Sequence, residues 1–181
     1  MKIIKKKFKR KPCCFLDRDG VLNYDTGYVS KIKDFKWRPG VKKAIKFLNK
    51  KNYYVIVISN QAGIAHGYFK EDDLAQLTNY IQNELLKQSS FINKFYYCFY
   101  HPDAKIKKYK KKSIFRKPET GMLNLAFKNF SINRKKSFFI GDRVTDKICA
   151  KKMKLKFYFP KKNLYNQVKN IINASENLTN N

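Results

Sequence analysis

The sequence is poor in acidic residues and in long apolar runs, and each shortage excludes a class of protein. Aspartate and glutamate together number 13 against 41 lysines and arginines, which gives a formal net charge of +28. No apolar run approaches the roughly 20 residues that a membrane-spanning helix needs. The basic segment at residues 1–11 lacks the apolar stretch of a signal peptide. We therefore expect a cytoplasmic protein with no membrane partner.

Cysteines, repeats and linkers are also scarce. The four cysteines include the adjacent Cys13 and Cys14 in an apolar run, which indicates reduced core residues rather than a disulfide framework. Hydrophobic residues make up 43% of the chain, too many for a disordered protein. We expect one domain over residues 1–181, with a basic lead at 1–11 and a loose tail at 175–181.

The positive charge has two interpretations. It could indicate a nucleic-acid partner, or it could reflect lysines spread over the whole surface. Lysines occur in nearly every segment, and no stripe of basic residues with interleaved stacking aromatics is present. We therefore favour the second interpretation. Separately, we expect a monomer. In either case the positive field would attract anionic substrates such as phosphate esters.

Strands and helices are expected to alternate along the chain. Apolar runs predict strands at 13–16, 54–58, 95–100, 137–140 and 156–159. Apolar residues at helical spacing predict helices at 41–48, 71–87, 120–130, 145–153 and from 164 onward. This alternation predicts an α/β fold, in which helices cover both faces of a central parallel sheet.

Polar residues follow three of the predicted strands, at the edge where α/β sheets bind ligands. They are Asp17 and Asp19 after the first strand, Ser59–Gln61 after the second and Asp142 after the fourth. Arg116 and Lys117 precede a helix that can reach the same edge. Neighbouring carboxylates repel each other unless a cation such as Mg²⁺ lies between them. Together these groups supply what phosphoryl transfer from a monoester requires: a nucleophile, an acid and cations.

These motifs resemble a known superfamily. The segment 17–23, Asp-Arg-Asp-Gly-Val-Leu-Asn, looks like the first motif of the haloacid-dehalogenase-like (HAD) phosphatases. Ser59, Lys117 and Gly141–Asp142 match its second, third and fourth motifs in order. Segments 25–29, 59–65, 96–98 and 116–123 resemble the D,D-heptose 1,7-bisphosphate phosphatases, which are relatives of the histidinol-phosphate phosphatases. The resemblance covers roughly residues 13–159 and implies a three-layer, Rossmann-like HAD fold with a minimal cap.

The resemblance also implies roles for the catalytic and metal-binding residues. Asp17 would be the nucleophile that forms an aspartyl-phosphate, and Asp19 would be the general acid and then the general base. Mg²⁺ would be held by Asp17, the backbone carbonyl of Asp19, and Asp142. Ser59 and Lys117 would stabilise the transferring phosphoryl group. Asp146 would orient Lys117 or the metal shell.

Further residues would recognise the sugar or its second phosphate, again by resemblance. They are Asp25, Thr26, Gly27, Tyr28, Asn60, Gln61, Ala62, Arg116 and Arg143.

One segment departs from the family pattern. The family often carries Cys-x-His and then Cys-x-Cys before the Arg-Lys pair, as ligands of a structural zinc. Here Cys98 remains, while the other positions hold Tyr100, Ser113 and Phe115. Even with His101 this degenerate zinc loop, residues 101–118, offers two ligands where zinc needs about four. We therefore expect no zinc, and a loop that aromatic packing orders or that stays mobile.

The leading functional hypothesis is a Mg²⁺-dependent phosphatase. It would remove the C7 phosphate of D-glycero-D-manno-heptose 1,7-bisphosphate, a step that serves lipopolysaccharide core or other surface-glycan precursors. The alternatives are a histidinol-phosphate phosphatase, a nucleic-acid 3′-phosphatase, and a basic binding protein that has lost catalysis.

Overall fold

Five parallel strands form the sheet at the centre of the protein, in the order β3-β2-β1-β4-β5. The computed structural model describes residues 10–177. The strands are β1 (Cys13–Leu16), β2 (Tyr54–Asn60), β3 (Lys94–Cys98), β4 (Phe138–Ile140) and β5 (Lys156–Tyr158). The helices are α1 (Val41–Lys50), α2 (Ala62–Ala65), α3 (Glu71–Leu86), α4 (Gly121–Asn129), α5 (Val144–Lys152) and α6 (Leu164–Asn177).

The central strand β1 explains why its sequence is a continuous apolar run. It pairs with β2 on one side and with β4 on the other, so both of its edges are covered. Its side chains alternate between two cores, and all four are fully buried. Cys14 and Leu16 pack with residues of α1 and α6, whereas Cys13 and Phe15 pack with residues of α4 and α5. The predicted α/β fold, with helices on both faces of a parallel sheet, is confirmed.

The boundaries differ from expectation in a few places. Strand β2 continues to Asn60, because its last residues pair with the end of β3. The short helix α2 lies in the segment after β2, for which no helix was predicted. Helix α6 continues to Asn177, past the start of the predicted loose tail. At the other end, Lys11 belongs to the predicted basic lead but pairs with Ile132. Residues 1–9 and 178–181 lie outside the described residues.

The degenerate zinc loop is packed in place by aromatic side chains. Tyr109 lies in a small core with residues of α2 and α3, and Phe99 and Tyr100 pack against that core. The Tyr109 hydroxyl donates a hydrogen bond to Glu71 at the start of α3. The backbone N–H of Ile106 donates to the carbonyl of Ala65 at 3.0 Å. Of the two expected alternatives, order by aromatic packing is therefore the one observed.

Two smaller findings complete the fold. All four cysteines are buried and free, as expected for reduced core residues. Within residues 10–177, no helix combines the length and apolar character that crossing a membrane requires.

Candidate active site

A cavity of about 690 Å³ opens at the carboxyl ends of β1 and β2. Its walls come from the segments after β1 and β2, from the end of the degenerate zinc loop and from the start of α5. Most sequence-predicted site residues line it, namely Asp17, Asp19, Asp25, Gly27, Tyr28, Ser59, Asn60, Gln61, Ala62, Arg116, Lys117 and Arg143. Thr26 and Asp142 are not among the lining residues, although their neighbours are.

Lys117 lies between two buried carboxylates. Its ammonium Nζ is 2.8 Å from Asp17 Oδ2 and 2.7 Å from Asp146 Oδ1, and it donates to the carbonyl of Ile58 at 2.8 Å. Three oxygens thus surround the ammonium group, which has three protons to donate. The expected contact between Asp146 and Lys117 is thus present. Burial opposes the charged form of Lys117, but Asp17 and Asp146 outweigh it and raise its pKa, so the side chain is cationic.

Asp142 joins the two carboxylates that contact this lysine: one oxygen atom from each of Asp17, Asp142 and Asp146 lies within 4.8 Å of the other two. Three negative charges against one ammonium leave two uncompensated, which is the charge of one divalent cation. Burial raises the pKa of Asp142 to about 6, and the nearby Asp17 and Asp146 charges add to the rise. One Asp142 oxygen, Oδ1, is buried and has no hydrogen-bond partner among the described residues. This donor set of oxygens fits Mg²⁺.

Gly20 lets the β1 loop approach this carboxylate cluster closely. Its φ is +76°, in the left-handed region that glycine tolerates best. A Cβ atom at this position would lie 2.2 Å from Asp142 Oδ2. A side chain here would therefore displace the Asp142 carboxylate.

The carboxylate of Asp19 lies outside this cluster, held by donors from three residues. Asn23 Nδ2 donates to Asp19 Oδ1 at 3.0 Å, and Gln61 Nε2 donates to Asp19 Oδ2 at 2.8 Å. Arg18 donates to both oxygens, through Nε at 3.0 Å and Nη2 at 2.8 Å. Asp19 still lines the cavity, so its carboxylate is held at the wall beside Asp17. The expectation that its backbone carbonyl binds Mg²⁺ stays a prediction.

Arg18 is a functional residue that the sequence analysis missed. Its side chain is 0% exposed, and its Nη2 also donates to the carbonyl of Val29 at 2.6 Å. The guanidinium thereby ties Asp19 to the end of the loop that follows β1. Arginine is rarely buried unless it is paired. From the sequence alone, an arginine between two catalytic candidates is therefore expected to face solvent, and its burial here could not be predicted.

The residues after β2 fix the opposite wall of the cavity. Asn60 makes two hydrogen bonds with the backbone of Lys117, donating to its carbonyl at 3.1 Å and accepting from its N–H at 3.0 Å. The Ser59 hydroxyl accepts from Gln61 Nε2 at 3.1 Å and faces Asp17. Asn60 therefore positions the lysine segment, a role that the sequence analysis did not assign to it.

Charged side chains line the outer half of the cavity. Arg143 Nη2 forms an ion pair with Asp25 Oδ2 at 2.9 Å, which links the loop after β1 to α5. Asp25 also accepts from the N–H of Gly27 at 3.0 Å and so shapes its own loop. Arg116 is half-buried and donates to the carbonyl of Tyr100 at 3.3 Å. Burial lowers the pKa of Arg116, and the nearby Arg143 charge contributes, yet both guanidinium groups stay charged at neutral pH.

Two histidines at the cavity were also missed. His66 and His101 both line it, although 35 positions separate them in the chain, and their ring centroids are 5.0 Å apart. No local pattern in the sequence connects them, because a long-range fold of the degenerate zinc loop brings them together.

Comparisons with known proteins agree with this fold and site. Residues 15–165 match the family described as Polynucleotide kinase 3 phosphatase. The chain is 42% identical to the D-glycero-beta-D-manno-heptose-1,7-bisphosphate 7-phosphatase of Photorhabdus laumondii over 139 residues, 77% of this chain and 74% of the relative. It is 39% identical to the corresponding alpha-heptose 7-phosphatase of Campylobacter jejuni, over 73% and 72% of the two chains.

Solved structures show the same architecture. The D,D-heptose 1,7-bisphosphate phosphatase of B. bronchiseptica superposes with a TM-score of 0.76 at 20% identity, over 93% of this chain and 98% of that one. A substrate-bound phosphoserine phosphatase superposes with a TM-score of 0.59 at 16% identity, over 89% and 98%. At these identities the likeness shows the fold alone.

Fold, cavity and relatives together define a phosphoric monoester hydrolase with the Rossmann-like fold of HAD phosphatases. The chain belongs to the HAD-like phosphatase family that includes the D-glycero-D-manno-heptose-1,7-bisphosphate 7-phosphatases.

Proposed function

We propose that this phosphatase removes the C7 phosphate of D-glycero-D-manno-heptose 1,7-bisphosphate through a phosphorylated Asp17. The observation that carries the proposal is the Asp17–Lys117–Asp146 arrangement at the floor of a cavity whose outer half is cationic. The inner end offers a carboxylate nucleophile, and the outer end offers two guanidinium groups to a second phosphate. The names of the relatives in Photorhabdus and Campylobacter support this substrate.

In the first step a carboxylate oxygen of Asp17 attacks phosphorus, and the bond from phosphorus to the C7 oxygen breaks. Asp19, protonated in this step, gives its proton to the leaving oxygen. In the second step Asp19 takes a proton from a water molecule that attacks the acyl phosphate, which releases inorganic phosphate and restores Asp17. Lys117 and the Ser59 hydroxyl stabilise the negative oxygens of the transferring group in both steps.

We propose that Asp17, the Asp19 carbonyl and Asp142 hold Mg²⁺, with Asp146 acting through Lys117. A bound Mg²⁺ would neutralise charge that develops on the phosphoryl oxygens. The uncompensated charge of the carboxylate cluster and the unpartnered Asp142 oxygen support this assignment. The heptose bisphosphate phosphatase of B. bronchiseptica was crystallised with magnesium and phosphate.

We propose that Arg116 and Arg143 contact the second phosphate, because both line the outer cavity. An incoming phosphate would compete with Asp25 for Arg143. The remaining predicted substrate contacts come from Thr26–Tyr28, in the loop after β1, and from Asn60–Ala62, at the junction of β2 and α2; all of them except Thr26 line the cavity. We further propose that the enzyme acts as a single-domain, cytoplasmic monomer in the synthesis of lipopolysaccharide or other surface glycans.

A nucleic-acid 3′-phosphatase is the second candidate. The matched family is named for a polynucleotide 3′-phosphatase, and the net charge of +28 suits a polyanion. Histidinol phosphate is a further alternative.

One substrate panel distinguishes these functions. Purified protein with Mg²⁺ is offered both anomers of heptose 1,7-bisphosphate, histidinol phosphate and a 3′-phosphorylated oligonucleotide. The proposal predicts that kcat/KM is highest for heptose bisphosphate and that Asp17→Asn is inactive on every substrate. The exposed Asp72→Asn serves as the matched control and keeps wild-type activity. A preference for the oligonucleotide or for histidinol phosphate would reject the heptose substrate, and an active Asp17→Asn would reject the mechanism.

A further inference from the structure

Four aromatic rings from three separate segments meet at the opening of the active-site cavity. Tyr28 comes from the loop after β1, His66 and Tyr68 from the segment after α2, and His101 from the degenerate zinc loop. The ring centroids of Tyr28 and Tyr68 are 4.6 Å apart, and those of His66 and His101 are 5.0 Å apart. His66 lies 5.8 Å from Tyr68 and 6.4 Å from Tyr28, so the four rings form one cluster, the aromatic rim.

The rim faces the same space as the catalytic carboxylates. Tyr28, His66 and His101 line the cavity together with Asp17 and Asp19. Tyr68 is not a lining residue but lies against Tyr28 and supports it. A leaving group attached to a phosphate at Asp17 must extend through this opening, and would meet the rim.

The exposure of the two tyrosines is not explained by the needs of the fold. Tyr28 is 51% exposed and Tyr68 is 55% exposed, although their rings are in contact. The backbone of Tyr28 also has a φ of +49°, which is uncommon for a residue other than glycine. Large rings held at a cavity opening with much of their surface free are typical of ligand recognition.

The charges around the rim favour a ligand that is part apolar and part anionic. Lys105 Nζ lies 5.7 Å from the centre of the Tyr68 ring, and Arg116 lines the cavity beside His101. Burial lowers the pKa of His101, and the Arg116 and His66 charges add to this effect. The lowered pKa favours the neutral ring of His101, while the arginines supply the positive charge.

We propose that the aromatic rim is a subsite for the ring of a phosphorylated sugar, with the two histidines as specificity residues and Tyr68 as a positioning residue that holds Tyr28. The inference rests on the proposed phosphatase function and extends it to residues that the family motifs do not assign. Aromatic faces carry partial negative charge, and the C–H groups on one face of a pyranose carry partial positive charge. Stacking on the rim would orient the sugar so that its far phosphate reaches the two arginines.

The test compares ring-bearing and ring-free substrates in Tyr68→Ala. Tyr24→Ala is the matched control, because Tyr24 is an exposed tyrosine of the loop after β1 that does not line the cavity. Substrates are heptose 1,7-bisphosphate, a hexose 6-phosphate, a nucleoside monophosphate and acetyl phosphate, which has no ring. Since Tyr68 is exposed, its truncation does not threaten the fold.

The proposal predicts that Tyr68→Ala raises KM for the sugar phosphates about tenfold, the order expected when Tyr28 loses its aromatic contact with Tyr68, with kcat nearly unchanged. Values for acetyl phosphate stay at the wild-type level, and Tyr68→Phe behaves as wild type. Equal losses on all four substrates, no loss on any, or a loss confined to the nucleotide would each overturn the sugar subsite. If the wild type prefers the hexose phosphate and Tyr68→Ala raises KM most for that substrate, the aromatic rim is supported as a sugar subsite. The same result rejects heptose bisphosphate as the substrate.

Discussion

Replacing Arg18 tests whether its buried guanidinium exists to hold Asp19. In Arg18→Met the side chain keeps most of its length but loses every donor to Asp19 and to the Val29 carbonyl. Removing one partner of a buried ion pair costs about 3–5 kcal/mol, because the other charge is left uncompensated. The Asp19 side chain is 18% exposed and keeps its Asn23 and Gln61 donors, so the lower end of this range applies.

One feature of Arg18 reduces this cost. Its Nη1 atom is buried without a partner among residues 10–177, and removing such a group recovers about 1 kcal/mol. The net expectation is a loss of about 2 kcal/mol in the free energy of unfolding. For a domain of this size that loss lowers Tm by about 4–8 °C.

The assay is chemical and thermal unfolding in EDTA, arranged as a double-mutant cycle. Asp19→Asn is made in the wild type and in Arg18→Met. If the uncompensated charge causes the loss, Asp19→Asn destabilises the wild type but restores stability to Arg18→Met. Arg134→Met, at an exposed arginine stacked on Phe127, is the control and should change stability by less than about 1 kcal/mol. If Asp19→Asn lowers the free energy of unfolding equally in both backgrounds, Arg18 does not stabilise the protein through the Asp19 charge.

Three further predictions concern the metal site, the catalytic lysine and the degenerate zinc loop. Lys117→Met should lower kcat by about 10²–10³ in steady-state assays, because it removes a cation that acts on the phosphoryl group; an unchanged kcat would contradict this. Gly20→Ala should weaken Mg²⁺ binding in calorimetric titrations, since its Cβ would displace Asp142, and unaltered affinity would reject that geometry. The hydrogen bond from Tyr109 lowers the pKa of Glu71 below 4.5, so this pair stabilises the protein above about pH 4.5 and the stabilisation is lost as the pH falls further. The difference in the free energy of unfolding between wild type and Glu71→Gln should therefore shrink as the pH falls below about 4.5. A difference that is independent of pH would contradict this role of the Tyr109–Glu71 hydrogen bond.

The sheet could be predicted because its signals are local. The apolar run of β1 is what a strand buried on both faces requires, and the helical spacing of Val41, Ala44, Ile45 and Leu48 is what a helix packed on one face requires. The polar residues that follow these strands then lie at one edge of the sheet, because parallel strands all end at the same edge. The meeting of Asp17, Lys117 and Asp142 follows from this rule together with the motifs.

The rest of the site depends on contacts between residues that are distant in the chain. Nothing local marks Arg18 as buried, because its burial depends on how the following loop folds back to place the Val29 carbonyl against its guanidinium. The degenerate zinc loop has no period of its own, and it is positioned by Tyr109 reaching Glu71. His66 and His101 come together only once that loop is in place.

The most direct test of the account is to ask whether Asp17 carries the phosphoryl group during turnover. Enzyme mixed with Mg²⁺ and heptose 1,7-bisphosphate is quenched in acid, digested, and analysed by mass spectrometry. We expect one phosphoryl group on the peptide that contains Asp17 in wild type and in Asp72→Asn, and none in Asp17→Asn. Rapid turnover without any phosphoryl group on that peptide, or with the group on another residue, would contradict it.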